Sequence, residues 1–348
     1  MNMGKNLLNI ISLFTGAGGL EIAACSTGKV KRIVSTDSNE IFLETTKLNL
    51  PQHFPNVEHR CIVSDARDLK GISLLSRLGS DVDLVMGGPP CDDFTPFGRR
   101  KGMEGDKGPL IYDFLRLIDE LRPRCFLFEN VPNLIQQFRS FFDAFIGQAE
   151  TINYRVDWRL LSASDYGAPT MRKRVILVGW NNETRAARDE FKFPNPTHTS
   201  SDQIELFVKN FLPASNVCDV LENLPDVGDN SAIKYHNHTG RKHRPKTVAH
   251  LKTVPQGVHV KKSYRYRAPW KGLCRSLTAG VDHSTKSYIH PVYHREMSVR
   301  EYARIHGFMD SWVFSGNHHN GIKQVANAVP IPLGKAVLKN VINALCEV

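Results

Sequence analysis

Cys91 stands in the run Gly87-Gly88-Pro89-Pro90-Cys91-Asp92-Asp93-Phe94, directly after the apolar stretch Val82–Met86. A strand followed by such a loop puts the thiol at the carboxyl edge of a sheet, where open α/β folds bind ligands. A cysteine between prolines and acids is poorly suited to core packing and well suited to attack as a thiolate. Glu129, in Phe128-Glu129-Asn130-Val131, ends the apolar run Cys125–Phe128. A carboxyl group at so desolvated a place suits a proton donor working near neutrality. Arg172 and Arg174 alternate in the stretch Asp165–Arg174. In extended chain both project to one side, toward a single polar ligand.

A second group of residues points to a nucleoside. Phe14-Thr15-Gly16-Ala17-Gly18-Gly19 follows the first apolar run and opens a helix, so the glycines let the backbone turn sharply beside a ligand. Asp37 closes the next apolar run, roughly 20 residues on, where a carboxylate binds ribose hydroxyls in doubly wound nucleotide sites. No Gly-Lys-Ser/Thr follows the glycines, which favours a nucleoside without a polyphosphate. The pair His236 and His238 has no accompanying acid cluster, so no metal is assigned.

The elements that must position these residues follow from periodicity. Strands are expected over Leu7–Phe14, Arg32–Thr36, Val82–Met86, Cys125–Glu129, Tyr154–Leu161 and Arg174–Trp180, several of them continuous apolar runs as in buried parallel strands. Alternation with helix-like runs gives a doubly wound α/β sheet. After Trp180 the periodicity fades through Asn195-Pro196-Thr197, Pro213, Pro225 and Gly228, which marks a second, smaller domain. Helical patterning returns from Ser298 to Ala303, and a final apolar helix, about Leu333 to Leu345, should pack back on the sheet. Gln324–Pro330 alone reads as a loop.

A length of 348 residues accommodates two unequal domains. No apolar run approaches the roughly 20 residues needed to span a bilayer. The seven cysteines are scattered without a Cys-x-x-Cys pair, which argues against a disulfide framework or zinc ribbon and suits a reducing cytoplasm. Of the net charge of +10, the stretch Ser231–His290 carries 13 Lys/Arg against the single acid Asp282. Interleaved with Tyr235, Tyr264, Tyr266, Trp270 and Tyr288, it has the composition of a phosphate-backbone contact surface.

In this order the segments resemble the cytosine-C5 DNA methyltransferase family of bacterial restriction-modification type. The resemblance runs from Ile11 to Val337, through Phe14–Gly19, Pro90-Cys91, Glu129-Asn130-Val131, Arg172-x-Arg174, Arg295-x-x-Ser298-x-Arg300-Glu301-x-x-Arg304 and Gln324-x-x-Asn327-x-Val329. It implies a Rossmann-like catalytic domain over 1–182, a target-recognition domain over 183–294 that contains the basic stretch, and a segment 295–348 returning to complete the catalytic domain. Cys91 would be the nucleophile, Glu129 the residue that binds cytosine and supplies its proton, Arg174 a base contact and Arg172 its support. Phe14, Gly16, Ala17, Gly18, Gly19, Asp37, Ser38, Asp65, Ala66, Pro90, Leu110, Asn327, Ala328 and Val329 would line the S-adenosylmethionine site. Arg99, Arg100, Lys101, Lys261, Lys262, Arg265, Arg267 and Arg275 would touch double-stranded DNA.

The same resemblance implies a flipped target base, a monomer on DNA in the cytoplasm or nucleoid, and a cognate restriction endonuclease acting on the same site without a stable complex. The competing expectations are the same chemistry on transfer RNA and a catalytically silent DNA-binding relative. Asp92, Thr170, Ala326 and Ser38 depart from residues common in the family, an amide, glutamine, glycine and an aromatic respectively. These departures bear on cofactor affinity and loop closure more than on reaction type.

Overall fold

The computed structural model describes residues 7–90, 110–199, 211–260, 265–277 and 288–347, with backbone alone for 185–187. The chain divides into two compact units, the first comprising 1–161, 173–194 and 334–348, the second 162–172 and 195–333. Among the described residues no helix is long and apolar enough to cross a membrane.

In the first unit the strands are β1 (Leu8–Leu13), β2 (Val30–Asp37), β3 (Glu58–Val63), β4 (Leu84–Gly87), β5 (Cys125–Asn130), β6 (Tyr154–Ser162) and β7 (Lys173–Asn181). Its helices are α1 (Gly19–Cys25), α2 (Glu40–His53), α3 (Gly71–Leu78), α4 (Leu110–Leu121), α5 (Asn133–Gln136), α6 (Arg139–Thr151) and α7 (Arg185–Glu190). The sheet order is β3-β2-β1-β4-β5-β7-β6. Pairing is parallel from β3 through β5, and β7 runs antiparallel to β5. The reversed strand qualifies the expectation of a parallel sheet.

All six expected strands form, within a few residues at their ends. The seventh, β3, went unforeseen because Glu58-His59-Arg60-Cys61-Ile62-Val63 has no continuous apolar run. It is an edge strand with no fully buried residue. The central strands are apolar throughout because helices cover both faces of a doubly wound sheet. Ile11, Leu13, Val85, Phe126 and Phe128 share one core with Ile111, Phe114, Leu117 and Ile118 of α4 and with Phe142 and Phe145 of α6. Phe114 meets Phe126 and Phe128 edge-on at 5.8 and 5.4 Å between ring centres, a preferred aromatic geometry.

The second unit has short elements: β8 (His198–Thr199), β9 (Leu212–Pro213), α8 (Val217–Leu221), α9 (Pro245–Lys252), β10 (His259–Val260), β11 (Arg265–Arg267), β12 (Tyr288–Ile289), α10 (Val299–Ile305) and α11 (His318–Asn327). Strands β10, β11 and β12 make a three-stranded sheet, and β8 pairs with β9. The segment Gln324–Asn327, which reads as a loop in the sequence, is the last turn of α11, a helix whose N-cap Asn317 accepts from Asn320 N–H at 3.0 Å.

The motif Arg295–Arg304 proves to be the frame of this unit. Ser298 and Glu301 form a reciprocal capping box that starts α10. Glu301 also takes two bonds from Arg295, at 2.9 and 2.7 Å, and Arg295 reaches Asp226 at 2.7 Å. Arg300 donates to the carbonyls of His236, Met309 and Trp312, and Arg304 to the carboxylate of Asp310. Burial pushes the neighbouring His290 down to about 4. His238 bridges the Ser298 hydroxyl and the Pro225 carbonyl, so this histidine serves the frame. The final helix, α12 (Ile331–Cys346), buries Val337, Leu338, Val341, Ile342 and Leu345 at helical spacing.

Candidate active site

At the end of β1 the backbone enters the left-handed region at Phe14 (φ 55°), Gly16 (φ 59°) and Gly18 (φ 85°). For a bulky residue such as Phe14 this costs on the order of 1–3 kcal/mol and is characteristic of ligand-binding turns. The turn is fastened from both sides. Thr15 N–H donates to the Thr36 carbonyl at 3.0 Å, Gly16 N–H to Asp37 Oδ2 at 2.8 Å, and the Thr46 hydroxyl to the Gly16 carbonyl at 3.3 Å.

Asp37 therefore holds the glycine turn as well as facing whatever lies above it. Burial raises its pKa, opposed by the N–H groups of Asn39, Gly16 and Ser38. A Cβ built on Gly16 would meet no atom within 4 Å and would project into open space, a cradle that fits a nucleoside against the backbone. Ala17, Gly18 and Gly19 are buried and Ser38 is exposed. Asp65 follows β3, Ala66 beside it is buried, Pro90 follows β4 and Leu110 opens α4. These residues share the carboxyl edge of one sheet.

Two strands along, Glu129 near the end of β5 and Arg174 at the start of β7 form an ion pair, Nε to Oε1 2.5 Å, with each side chain about 9% exposed. Nothing in the sequence assigns Glu129 such a partner. A charge-assisted bond this short, shielded from water, is among the stronger kinds and fixes the carboxyl plane. The other oxygen, Oε2, lies 2.5 Å from where a Cβ of Gly88 would stand, so a side chain there would push it from its place. Asn130 donates from Nδ2 to the Pro89 carbonyl at 3.2 Å and its Oδ1 accepts from Val131 N–H at 2.9 Å. The acid and the Gly88–Pro90 run are thereby locked together. Neither Gly88 nor Asn130 had a role in the sequence reading, although both flank residues that did. Cys91, the residue after Pro90, lies outside the described residues, as do Arg99, Arg100, Lys101, Lys261 and Lys262.

In the second unit Arg172 is buried and donates to the carbonyls of Leu277 (2.8 Å) and Ala326 (2.6 Å). Its guanidinium ties the basic stretch, at Leu277, to the end of α11, a task different from facing a ligand beside Arg174. Asn327 ends α11 and is exposed, while Ala328 and Val329 are buried.

Arg267 requires a correction. It is 3% exposed and donates to the carbonyls of Val254, Leu251, His290 and Tyr293 at 2.5–3.1 Å. Its donors are spent inside the unit, which removes it from the set available to phosphate. Arg265 is half-buried, and the exposed Arg275 lies 5.3 Å over the Tyr266 ring.

A family model described as C-5 cytosine-specific DNA methylase matches residues 8–343. The chain is 33% identical over 236 residues to the Type II methyltransferase M.AquIA of Picosynechococcus, covering 64% of this chain and 92% of that one. It is 28% identical over 353 residues to the Type II methyltransferase M1.HphI of Haemophilus parahaemolyticus, covering 96% and 87%. Among solved structures, a prophage-encoded protein of E. coli, described as a candidate DNA modification methyltransferase, has a TM-score of 0.74 at 25% identity, covering 97% and 99%. Schizosaccharomyces pombe Dnmt2 shares the fold with a TM-score of 0.65 at 17% identity.

Proposed function

The chain belongs to the C-5 cytosine-specific DNA methylase family and is a DNA (cytosine-5)-methyltransferase, and from that premise we propose a mechanism and a division of labour for its residues. The observation that carries the reading is the buried Glu129–Arg174 pair, packed against the glycine of the loop that leads into Cys91.

Carbon-5 of cytosine is a poor nucleophile. The Cys91 thiolate adds to carbon-6 while Glu129 delivers a proton to ring nitrogen 3, which makes carbon-5 an enamine carbon. S-adenosylmethionine, when bound, supplies the electrophilic methyl group that carbon-5 takes. A base then removes the carbon-5 proton, its electrons form the carbon-5–carbon-6 double bond, the thiolate leaves from carbon-6, and ring nitrogen 3 returns its proton to Glu129. Arg174 holds Glu129 in the plane of the base and contacts the base itself. The turn Phe14–Gly19 with Asp37, Asp65, Ala66, Pro90 and Leu110 holds the cofactor. Both reactants must reach opposite faces of the ring, so the target base is flipped out of double-stranded DNA.

Residues 183–294 recognise the target sequence, with Arg265, Arg275, Lys261 and Lys262 on phosphates. The named Type II relatives support a place as the modification half of a restriction-modification system in the cytoplasm, with an endonuclease that reads the same site. Duplex DNA carrying 5-fluorocytosine at the target tests the chemistry, because fluorine cannot leave as a proton. Wild type with S-adenosylmethionine should give a complex that survives denaturing electrophoresis, and Cys91→Ser should give none. Absence of the complex from protein that methylates ordinary DNA would refute attack at carbon-6.

A further inference from the structure

The sheet order sets the ends of β3, β2 and β1 side by side. With the glycine turn after β1 and Asp37 at the end of β2 on the ribose, Asp65 stands one strand further out, two residues past Val63, the register partner of Asp37. That is the base end of the nucleoside. Its carboxylate is already partly occupied. Oδ1 accepts from Arg67 N–H and Nε, each at 2.9 Å, and Oδ2 from Arg67 Nη2 at 2.7 Å. A carboxylate has about four acceptor positions, so the one left open is on Oδ2, in an orientation that Arg67 dictates. Arg67 is exposed, and such a pair alone would fix little.

The rigidity comes from a second arginine. Arg116, in the middle of α4, donates from Nη2 to the Ala66 carbonyl at 2.8 Å and from Nη1 to the Leu69 carbonyl at 3.0 Å. Its remaining donors go to Asp113 at 3.2 Å and to Glu120 Oε1 at 2.7 Å, so the whole guanidinium is committed. Glu120 Oε2 in turn accepts from Gly71 N–H, the first residue of α3, at 2.6 Å. A Cβ on Gly71 would come within 2.7 Å of Glu120 Cβ, so the chain crosses the helix at contact distance. The turn 65–71 is therefore clasped at Ala66, Leu69 and Gly71 by α4, the helix that opens with Leu110.

We propose that Arg116 is a positioning residue for the base of the cofactor: it fixes the turn that presents Asp65, so that the site selects a base with an exocyclic amine over one with a carbonyl there. The proposal rests on the assignment of Asp65 to the cofactor site. An amine donates to the open Oδ2 position, whereas a carbonyl oxygen would face a carboxylate oxygen with no hydrogen between them. A clasp that slackened would let Asp65 turn away and lose the distinction.

Calorimetry of full-length protein with S-adenosylhomocysteine and with its inosine counterpart tests this without turnover. Wild type should prefer the adenine form by about tenfold or more, the scale of one hydrogen bond gained and one repulsion avoided. Asp65→Ala should abolish the preference. Arg116→Met should weaken the adenine form by roughly five- to tenfold and the inosine form little, and Arg116→Lys, reaching one carbonyl, should fall between. Loss of preference in Asp65→Ala with both affinities of folded Arg116→Met unchanged would overturn the role of Arg116 and leave the site reading intact. Preference retained in Asp65→Ala would overturn both. If Arg116→Met does not fold, Glu120→Gln keeps an oxygen for Gly71 N–H but removes the ionic partner of Arg116. It should show a smaller change of the same sign, and an unchanged preference there would refute the proposal.

Discussion

Glu21 offers a quantitative test of how the cofactor turn is built. All seven residues of α1 are buried, so its carboxyl has no route to water. Burial raises its pKa from 4.5 to about 7, although the hydroxyls of Ser12 and Thr15 and its own N–H lower it in part. The folded chain thus holds this proton more tightly than the unfolded chain does. Below pH 4.5 the group is protonated in both states and costs nothing. Between pH 4.5 and about 7 the native state binds more protons, so stability falls as pH rises, and above 7 the loss is complete. A shift of this size corresponds to roughly 2–4 kcal/mol.

Glu21→Gln carries no titrating proton, so its stability should lack this slope. Urea unfolding at pH 5, 6, 7 and 8 would measure the difference between wild type and variant, in which the contributions of all other groups cancel. Glutamine should gain roughly 2–4 kcal/mol on wild type from pH 5 to pH 8. Parallel curves would show that Glu21 is solvated in the folded protein and refute the reasoning.

Gly88→Ala should cut the methylation rate by more than about tenfold, because the new methyl must displace Glu129 Oε2, while S-adenosylhomocysteine affinity measured by calorimetry stays close to wild type. Glu129→Gln should lower the rate by more than about a hundredfold, and an equal loss of cofactor affinity in the same protein would assign the residue a structural task instead. Arg267→Ala should destabilise the protein by about 3 kcal/mol or more in thermal unfolding through stranded carbonyls. Arg275→Ala should leave stability alone and flatten the salt dependence of DNA binding by roughly one unit. Exchanging residues 183–294 with those of a relative of different specificity should change the sequence methylated, as read by bisulfite sequencing; a folded, active exchange that keeps the original sequence would refute the recognition role.

The sequence singles out candidate residues wherever the chemistry of one residue type needs one place. Glu129 and Arg174 were singled out because an acid ends one apolar run and an arginine begins another. The structure adds that β7 runs against β5, which brings the two within 2.5 Å. Strand direction leaves no trace in a continuous apolar run, so that pairing could not be read beforehand. Arg267 was misread for a related reason. In a stretch with 13 basic residues, composition cannot tell a cation facing water from one that collects carbonyls. Edge strand β3 and the last turn of α11 escaped because neither has strong periodicity of its own, and neighbouring structure decides their form. Arg116 gave no signal beyond being one of four charged residues on α4, with Asp113, Asp119 and Glu120.

The last helix has a consequence for synthesis. Asn343 accepts from Lys29 Nζ at 2.9 Å, the Leu345 carbonyl from Arg124 at 3.1 Å, and Asn340 donates to the Lys192 carbonyl at 2.8 Å. Residues 334–348 thus belong to the same unit as β1, with the whole second unit made in between. A ribosome adding about 5–20 residues per second makes residues 195–333 of the second unit before the last helix can join the first. The first unit therefore waits for its last helix while the second unit is made.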